Sequence, residues 1–165
     1  RKYTLKNAPS SISASNCSFF MCLISTVLFV IRSVSNAQFR EAFPELFQVL
    51  SPYKETALKG VFHSFTGTID EARELLEYSH FMIGVNGVVT FKKSTLPEAL
   101  KEVPLSKLVL ETDSPYLAPV PFRGKRNETS YVKRVTVKLA ELYGMEIGEV
   151  ERQTTENALK VFKNR

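Results

Sequence analysis

Lys107-Leu108-Val109-Leu110-Glu111-Thr112-Asp113-Ser114-Pro115-Tyr116 is an apolar run that stops at two carboxylates, with a proline just beyond. A short Leu/Val run bounded by turn residues has the form of a buried parallel strand. Side chains alternate along a strand, so Glu111 and Asp113 are expected to point the same way. Two acids at the carboxyl end of a buried strand are costly unless they meet a cation or several donors. In α/β folds, ligands and metals bind at that end. The plainer reading has Asp113 capping the next loop and Glu111 pairing with a basic residue.

A second segment has the same form. Lys59-Gly60-Val61-Phe62-His63-Ser64-Phe65-Thr66-Gly67 is a β-prone run that ends in a histidine followed by small turn residues. Neutral imidazole is a common ligand for transition metals, and carboxylate is its usual companion. A lone strand-end histidine is more often bonded to a backbone carbonyl. His63 and Asp113, however, take equivalent places on two strands of one array. The only other histidine, His80, falls at a helix-to-strand junction and reads as structural.

Strands and helices alternate between these points. Thr68 to Tyr78 opens with a capping box, Thr68 with Glu71, and places Ile69, Ala72, Leu75 and Leu76 on one face. Phe81 to Val85 is a short strand before the turn Asn86-Gly87. Thr95 with Glu98 predicts another capping box, with Pro97 in the first turn. Repeated alternation of this kind implies an α/β fold with a parallel sheet. Three prolines stiffen the loop from Pro115 to Glu128, and Arg123, Lys125 and Arg126 make it basic. Such a loop suits a phosphate-bearing substrate, and it equally suits arginines that neutralise the nearby acids. Val132, Val135, Leu139 and Leu142 predict an amphipathic helix ending near Gly144. Two further helices are expected over Ile147 to Gln153 and Thr155 to Phe162, the latter capped by Thr154 or Thr155.

Taken together, these motifs resemble the TatD-type metal-dependent deoxyribonucleases. The matching pieces are residues 60–67, Ile83 to Lys92, Leu110 to Pro119, Arg123 to Glu128, and Thr154-Thr155-Glu156-Asn157-Ala158. The resemblance runs from about Phe39 to the C-terminus. It implies a partial TIM (β/α)8 barrel holding roughly the last three strands and their helices. It also implies a site for a divalent metal ion (Mg, Mn or Zn) and DNA as the substrate. In that family the residues matching His63 and Asp113 are metal ligands, and the aspartate can also orient or deprotonate the attacking water. Glu111 fits a supporting role, while Arg126 and Asn127 are expected to shape the loop around the site.

Other family elements have no counterpart. The first-strand His-x-His pair and a later glutamate are not recognisable, and Gln38 stands where a fifth-strand histidine is expected. Residues 1–38 carry Arg1, Lys2, Lys6 and Arg32 with no acidic residue, leaving 18 basic against 17 acidic residues in 39–165. The high pI therefore reflects the leader rather than a nucleic-acid-coating surface. Cys17 to Ile31 is nearly charge-free over 15 residues, short for a membrane span and closer to a secretory h-region. The leader's Ser-rich, acid-free composition also suggests an organelle transit peptide. The abrupt change of pattern at Phe39 points to a leader not native to the barrel, joined ahead of residues 39–165. Cytoplasmic location is expected for 39–165, with targeting by the leader left open. No membrane is expected for 39–165, and no stable protein partner is implied. The open sheet edge left by missing strands could be paired by the β-prone Val27 to Ile31, covered by a helix with Phe39, Phe43, Leu46, Phe47 and Leu50. Three functional readings follow: a metal-dependent phosphodiesterase, an inactive fragment that lacks the first five strands, or an amidohydrolase-type enzyme acting on a non-nucleic substrate.

Overall fold

The computed structural model of the chain describes residues 28–32 and 43–162. Four strands form one parallel sheet in chain order: β1 (Leu28–Arg32), β2 (Lys59–His63), β3 (Phe81–Val85) and β4 (Leu108–Leu110). The edge strand expected near residues 27–31 forms one residue later. It runs beside β2 from Leu28↔Lys59 to Arg32↔His63. The rest of the leader, together with Gln38 and Phe39, lies outside the described residues. β4 stops before the acids rather than containing them, but Glu111 N–H still donates to the Val85 carbonyl at 3.0 Å. The ladder therefore continues one step, and that step carries Glu111 alongside the end of β3.

β3 is buried along its whole length, as a central strand of a covered parallel sheet must be. On one face an aromatic group packs α1 (Phe43–Leu50) onto the sheet. Phe62 stacks on Phe81 at 5.0 Å between centroids, and Tyr78 meets both rings edge-on. Phe47 stacks on Tyr78 at 6.5 Å. α2 (Ile69–Leu76) begins with the expected capping box, both halves of which are formed by Thr68 and Glu71.

The second expected capping box does not form. At the start of α3 (Leu96–Leu100), Thr95 has helical backbone angles and makes no capping bond, and the Ser94 hydroxyl accepts from Leu96 N–H at 3.2 Å instead. Glu98 is drawn to Lys101 at 2.8 Å. α4 (Val132–Tyr143) ends at Gly144, whose φ of 62° is the left-handed conformation glycine adopts without strain.

The two helices expected after Gly144 are one, α5 (Ile147–Phe162). Thr154 is buried, and its hydroxyl donates back to the Val150 carbonyl at 2.8 Å, so it sits inside the helix rather than capping a new one. One turn on, the fully buried Asn157 donates to the carbonyls of Leu105 and Leu108, both at 2.8 Å, and ties α5 to the start of β4. Among the described residues, no helix is long and apolar enough to cross a membrane.

Truncating Asn157 removes its amide from both carbonyls, and the Leu105 carbonyl keeps only the Leu108 N–H. Asn157→Ala should therefore lower the unfolding free energy by about 1–3 kcal/mol in urea titrations. A loss within about 0.5 kcal/mol, the range of ordinary surface changes, would show that this tie is not needed.

Candidate functional site

β2 ends at His63, and the chain turns sharply there. Ser64 has φ 57°, the left-handed region that a β-carbon disfavours. The turn aims Ser64 N–H at Glu111 Oε1, while Phe65 N–H returns to the Gly84 carbonyl at 3.0 Å. The other Glu111 oxygen, Oε2, lies 2.6 Å from His63 Nδ1. Glu111 reaches across the end of β3 to do this, and only because residue 84 has no side chain. A Cβ there would lie 2.5 Å from Oε2 and 2.6 Å from the carboxyl carbon.

The opposite side of the ring meets the second acid: His63 Nε2 is 2.8 Å from Asp113 Oδ1. With a carboxylate on each ring nitrogen, both nitrogens must donate, and the imidazole is held as its cation. Burial pulls its pKa down, but the bonds to Asp113 and Glu111 outweigh burial and raise it to about 9. Burial pushes the Asp113 carboxyl up, and the bonds from His63, Ser64 and Asn86 more than reverse this, holding it below the ordinary carboxylate value.

The remaining Asp113 oxygen is also engaged. Oδ2 accepts from the Ser64 hydroxyl at 3.0 Å and from Asn86 Nδ2 at 2.8 Å. Asn86 is fully buried. Its amide also donates to Ser64 Oγ at 2.6 Å, and its carbonyl accepts from Val88 N–H at 3.0 Å. This last bond opens the 3-10 turn Gly87–Thr90.

The structure thus brings His63, Glu111 and Asp113 together. It places Arg126 apart, exposed on the following loop. Asn127 is buried below that loop, with N–H on the Pro115 carbonyl at 3.0 Å and Nδ2 on the Tyr116 carbonyl at 2.7 Å. His80 is exposed just before β3, at the other end of the sheet. Sequence reasoning missed Ser64, Gly84 and Asn86. Asn86-Gly87 reads as a turn, and the turn does form. The usable signal was that residues 84 and 86 share one side of an extended chain, the side that faces both strand ends.

As a metal site, the donor set fits in kind but is small. Glu111 fixes Nδ1, as the outer partner of a ligating histidine does, which leaves Nε2 and Asp113 Oδ1 as the two outward donors. No group of three or more His, Cys, Asp or Glu able to hold a metal occurs among the described residues.

The family model described as TatD related DNase matches residues 39–163. The chain is 43% identical over 125 residues to the uncharacterized metal-dependent hydrolase YabD of Bacillus subtilis, covering 75% of this chain and 49% of that protein. It is 40% identical over 124 residues to the uncharacterized metal-dependent hydrolase YcfH of Escherichia coli strain K12, covering 74% and 46%. It therefore spans about half the length of these curated relatives. The crystal structure of YjjV, a TatD homolog from Escherichia coli, superposes with a TM-score of 0.68 at 27% identity, over 76% of this chain and 48% of that one. A TatD family hydrolase from Entamoeba histolytica matches in fold, with a TM-score of 0.69 at 20% identity over 84% and 52%.

Because His63 titrates higher folded than its unfolded value of 6.5, its bonds stabilise the chain fully below about pH 6.5 and lose their effect as pH rises through about 9. Urea unfolding should show stability falling by up to about 3 kcal/mol over that interval. Gly84→Ala, by displacing Glu111, should make the fall smaller. Identical pH profiles in the two proteins would show that Glu111 does not set the charge on His63.

Proposed function

The chain belongs to the TatD related DNase family, and from that premise we propose that its described residues form part of the site of a divalent-metal-dependent hydrolase cleaving phosphodiester bonds in DNA. In this reading β2, β3 and β4 are the last three strands of a (β/α)8 barrel. The parallel order of the strands supports it, as does the position of His63 and Asp113 at carboxyl ends of the sheet, where barrel enzymes carry their chemistry.

One observation carries the reading. His63 is oriented through Nδ1 by one carboxylate and presents Nε2 to the other. His63 Nε2 and Asp113 Oδ1 are the atoms that would hold the ion. A divalent ion bound there would lower the pKa of a water and offset charge on phosphoryl oxygens. The protein's own contribution is orientation. Glu111 sets the ring plane and blocks Nδ1 from any other role. Ser64 and Asn86 occupy Asp113 Oδ2, so Oδ1, which faces His63 Nε2, is the oxygen that would ligate, or accept a proton from the attacking water, once that imidazole proton is displaced. The basic loop from Arg123 to Arg126 follows Asp113 and suits an anionic substrate.

The two-donor set favours a weak metal site in this chain, since three protein ligands are usual for catalytic zinc. Calorimetric titration with Mn²⁺ or Zn²⁺ should give weak binding that disappears in His63→Ala. Tight binding that persists in that variant would place the ion elsewhere. With a single-stranded oligonucleotide and metal, Asp113→Asn should lower cleavage at least about a hundredfold, or about 2.7 kcal/mol of barrier. Equal cleavage by both proteins would rule out the proposed role of Asp113. Turnover of sugar or peptide amides without DNA cleavage would favour the amidohydrolase reading.

A further inference from the structure

About half of the described cations outside the loops after β3 and β4 are matched, while Lys133, Arg134 and Lys160 on the helices are not. Among the described residues Lys54, Arg73, Lys101, Lys138 and Arg152 each pair with a carboxylate. The loops after β3 and β4 differ. Residues 86–95 hold Lys92 and Lys93, residues 114–127 hold Arg123, Lys125 and Arg126, and neither stretch contains an acid. Among the described residues none of these five is ion-paired.

The two loops are stitched together. Val120 N–H donates to Thr90 Oγ1 at 2.9 Å. Gly87 lets the strands of loop approach so closely that a Cβ on it would lie 2.5 Å from the Leu117 carbonyl oxygen. Between them is an open cavity of about 460 Å³, with Phe91, Lys92, Lys93 and Ser94 on one wall and Val120 and Arg123 on the other. The Arg123 guanidinium carbon lies over the Phe91 ring, 3.7 Å from its centroid. A cation–π contact of this kind holds an arginine near the ring, and a guanidinium can meet a phosphate bidentately. Tyr116, three residues beyond Asp113, is 69% exposed in the same loop, a ring on which a base could stack.

We propose that this groove is a second phosphate subsite, in which Lys92, Lys93 and Arg123 hold a non-scissile backbone phosphate of a single-stranded nucleic acid whose scissile linkage lies at His63 and Asp113. The subsite rests on the phosphodiesterase reading for its register, but its binding needs no metal. A membrane surface fits less well. The cations line a groove with an aromatic ring in its wall, whereas a lipid surface calls for a flat or protruding basic patch.

The test is binding of a fluorescein-labelled 12-nucleotide single-stranded DNA to the full chain in excess EDTA, followed by anisotropy over a range of salt. The double variant Lys92→Ala/Lys93→Ala and the single variant Arg123→Ala should each weaken binding about 5- to 10-fold. The slope of log affinity against log salt should fall by about 0.7 for each cation removed. Lys138→Ala, on the helical surface, should change neither quantity. The three groove positions are exposed and Lys138 is half-buried, and unchanged thermal unfolding will verify that the variants fold. Equal weakening by Lys138→Ala would mean diffuse attraction and would overturn the subsite, as would unaltered affinity in the groove variants. Capture by anionic vesicles with no oligonucleotide binding would overturn it too. Groove-dependent binding without cleavage under any metal would leave the subsite standing and count against the hydrolase reading alone.

Discussion

Glu111 and His63 come from strands that are not neighbours, and the bond between them has to cross the end of β3. Everything at the site depends on that crossing. Gly84 clears the space that the Glu111 carboxylate occupies. Two residues further, on the same side of the chain, Asn86 fills the corresponding space with an amide that joins Ser64 to Asp113. The middle strand therefore contributes an absence at one position and a bridge at the next. A methyl at 84 would release the ring of His63, and an apolar side chain at 86 would leave Asp113 Oδ2 and Ser64 Oγ short of a buried donor. Neither residue touches the outward donors, yet both decide where those donors point.

The electrostatics follow from the same geometry. His63 is a cation between two carboxylates, and its Nε2 proton lies on the line to Asp113 Oδ1. A divalent ion joining these two atoms has to displace that proton, so metal affinity and proton affinity compete for one place. Glu111 would take part in either case, because its bond is to Nδ1, which keeps its hydrogen whichever cation Nε2 meets. The same carboxylate is the ion-pair partner of the imidazolium and would be a tautomer lock for a ligating imidazole.

Much of the scaffold was legible in the residues. β2 and β3 fall where their β-prone runs predict, and the reciprocal bonds of Thr68 and Glu71 are visible as a spacing. Spacing alone failed at Thr95, where a lysine three residues past Glu98 competes for its carboxylate. It failed again at Thr154, whose burial against the rest of the fold overrides its preference for a cap. For the site, the convergence of His63, Glu111 and Asp113 could be inferred because each stands at a strand end. Ser64 could not, and Gly84 and Asn86 only through the side of the chain they share, because their significance lies in partners 22 to 49 residues away. A local pattern registers Asn86-Gly87 only as a turn.

The sheet also explains why charge gathers on one edge of the molecule. Its strands are all parallel, so every carboxyl end opens toward the same side, and the loops that leave β3 and β4 must run over that side. On the helical flanks a lysine or arginine can reach a glutamate one turn away, and five of them do so or pair across helices. In the loops after β3 and β4 no such periodic neighbour exists, and the nearest acids, Glu111 and Asp113, are fully engaged with His63, Ser64 and Asn86. The positive charge of Lys92, Lys93 and Arg123 is consequently matched by no acid among the described residues. The topology that aligns the strand ends thus also keeps the acids and the loop cations from cancelling one another.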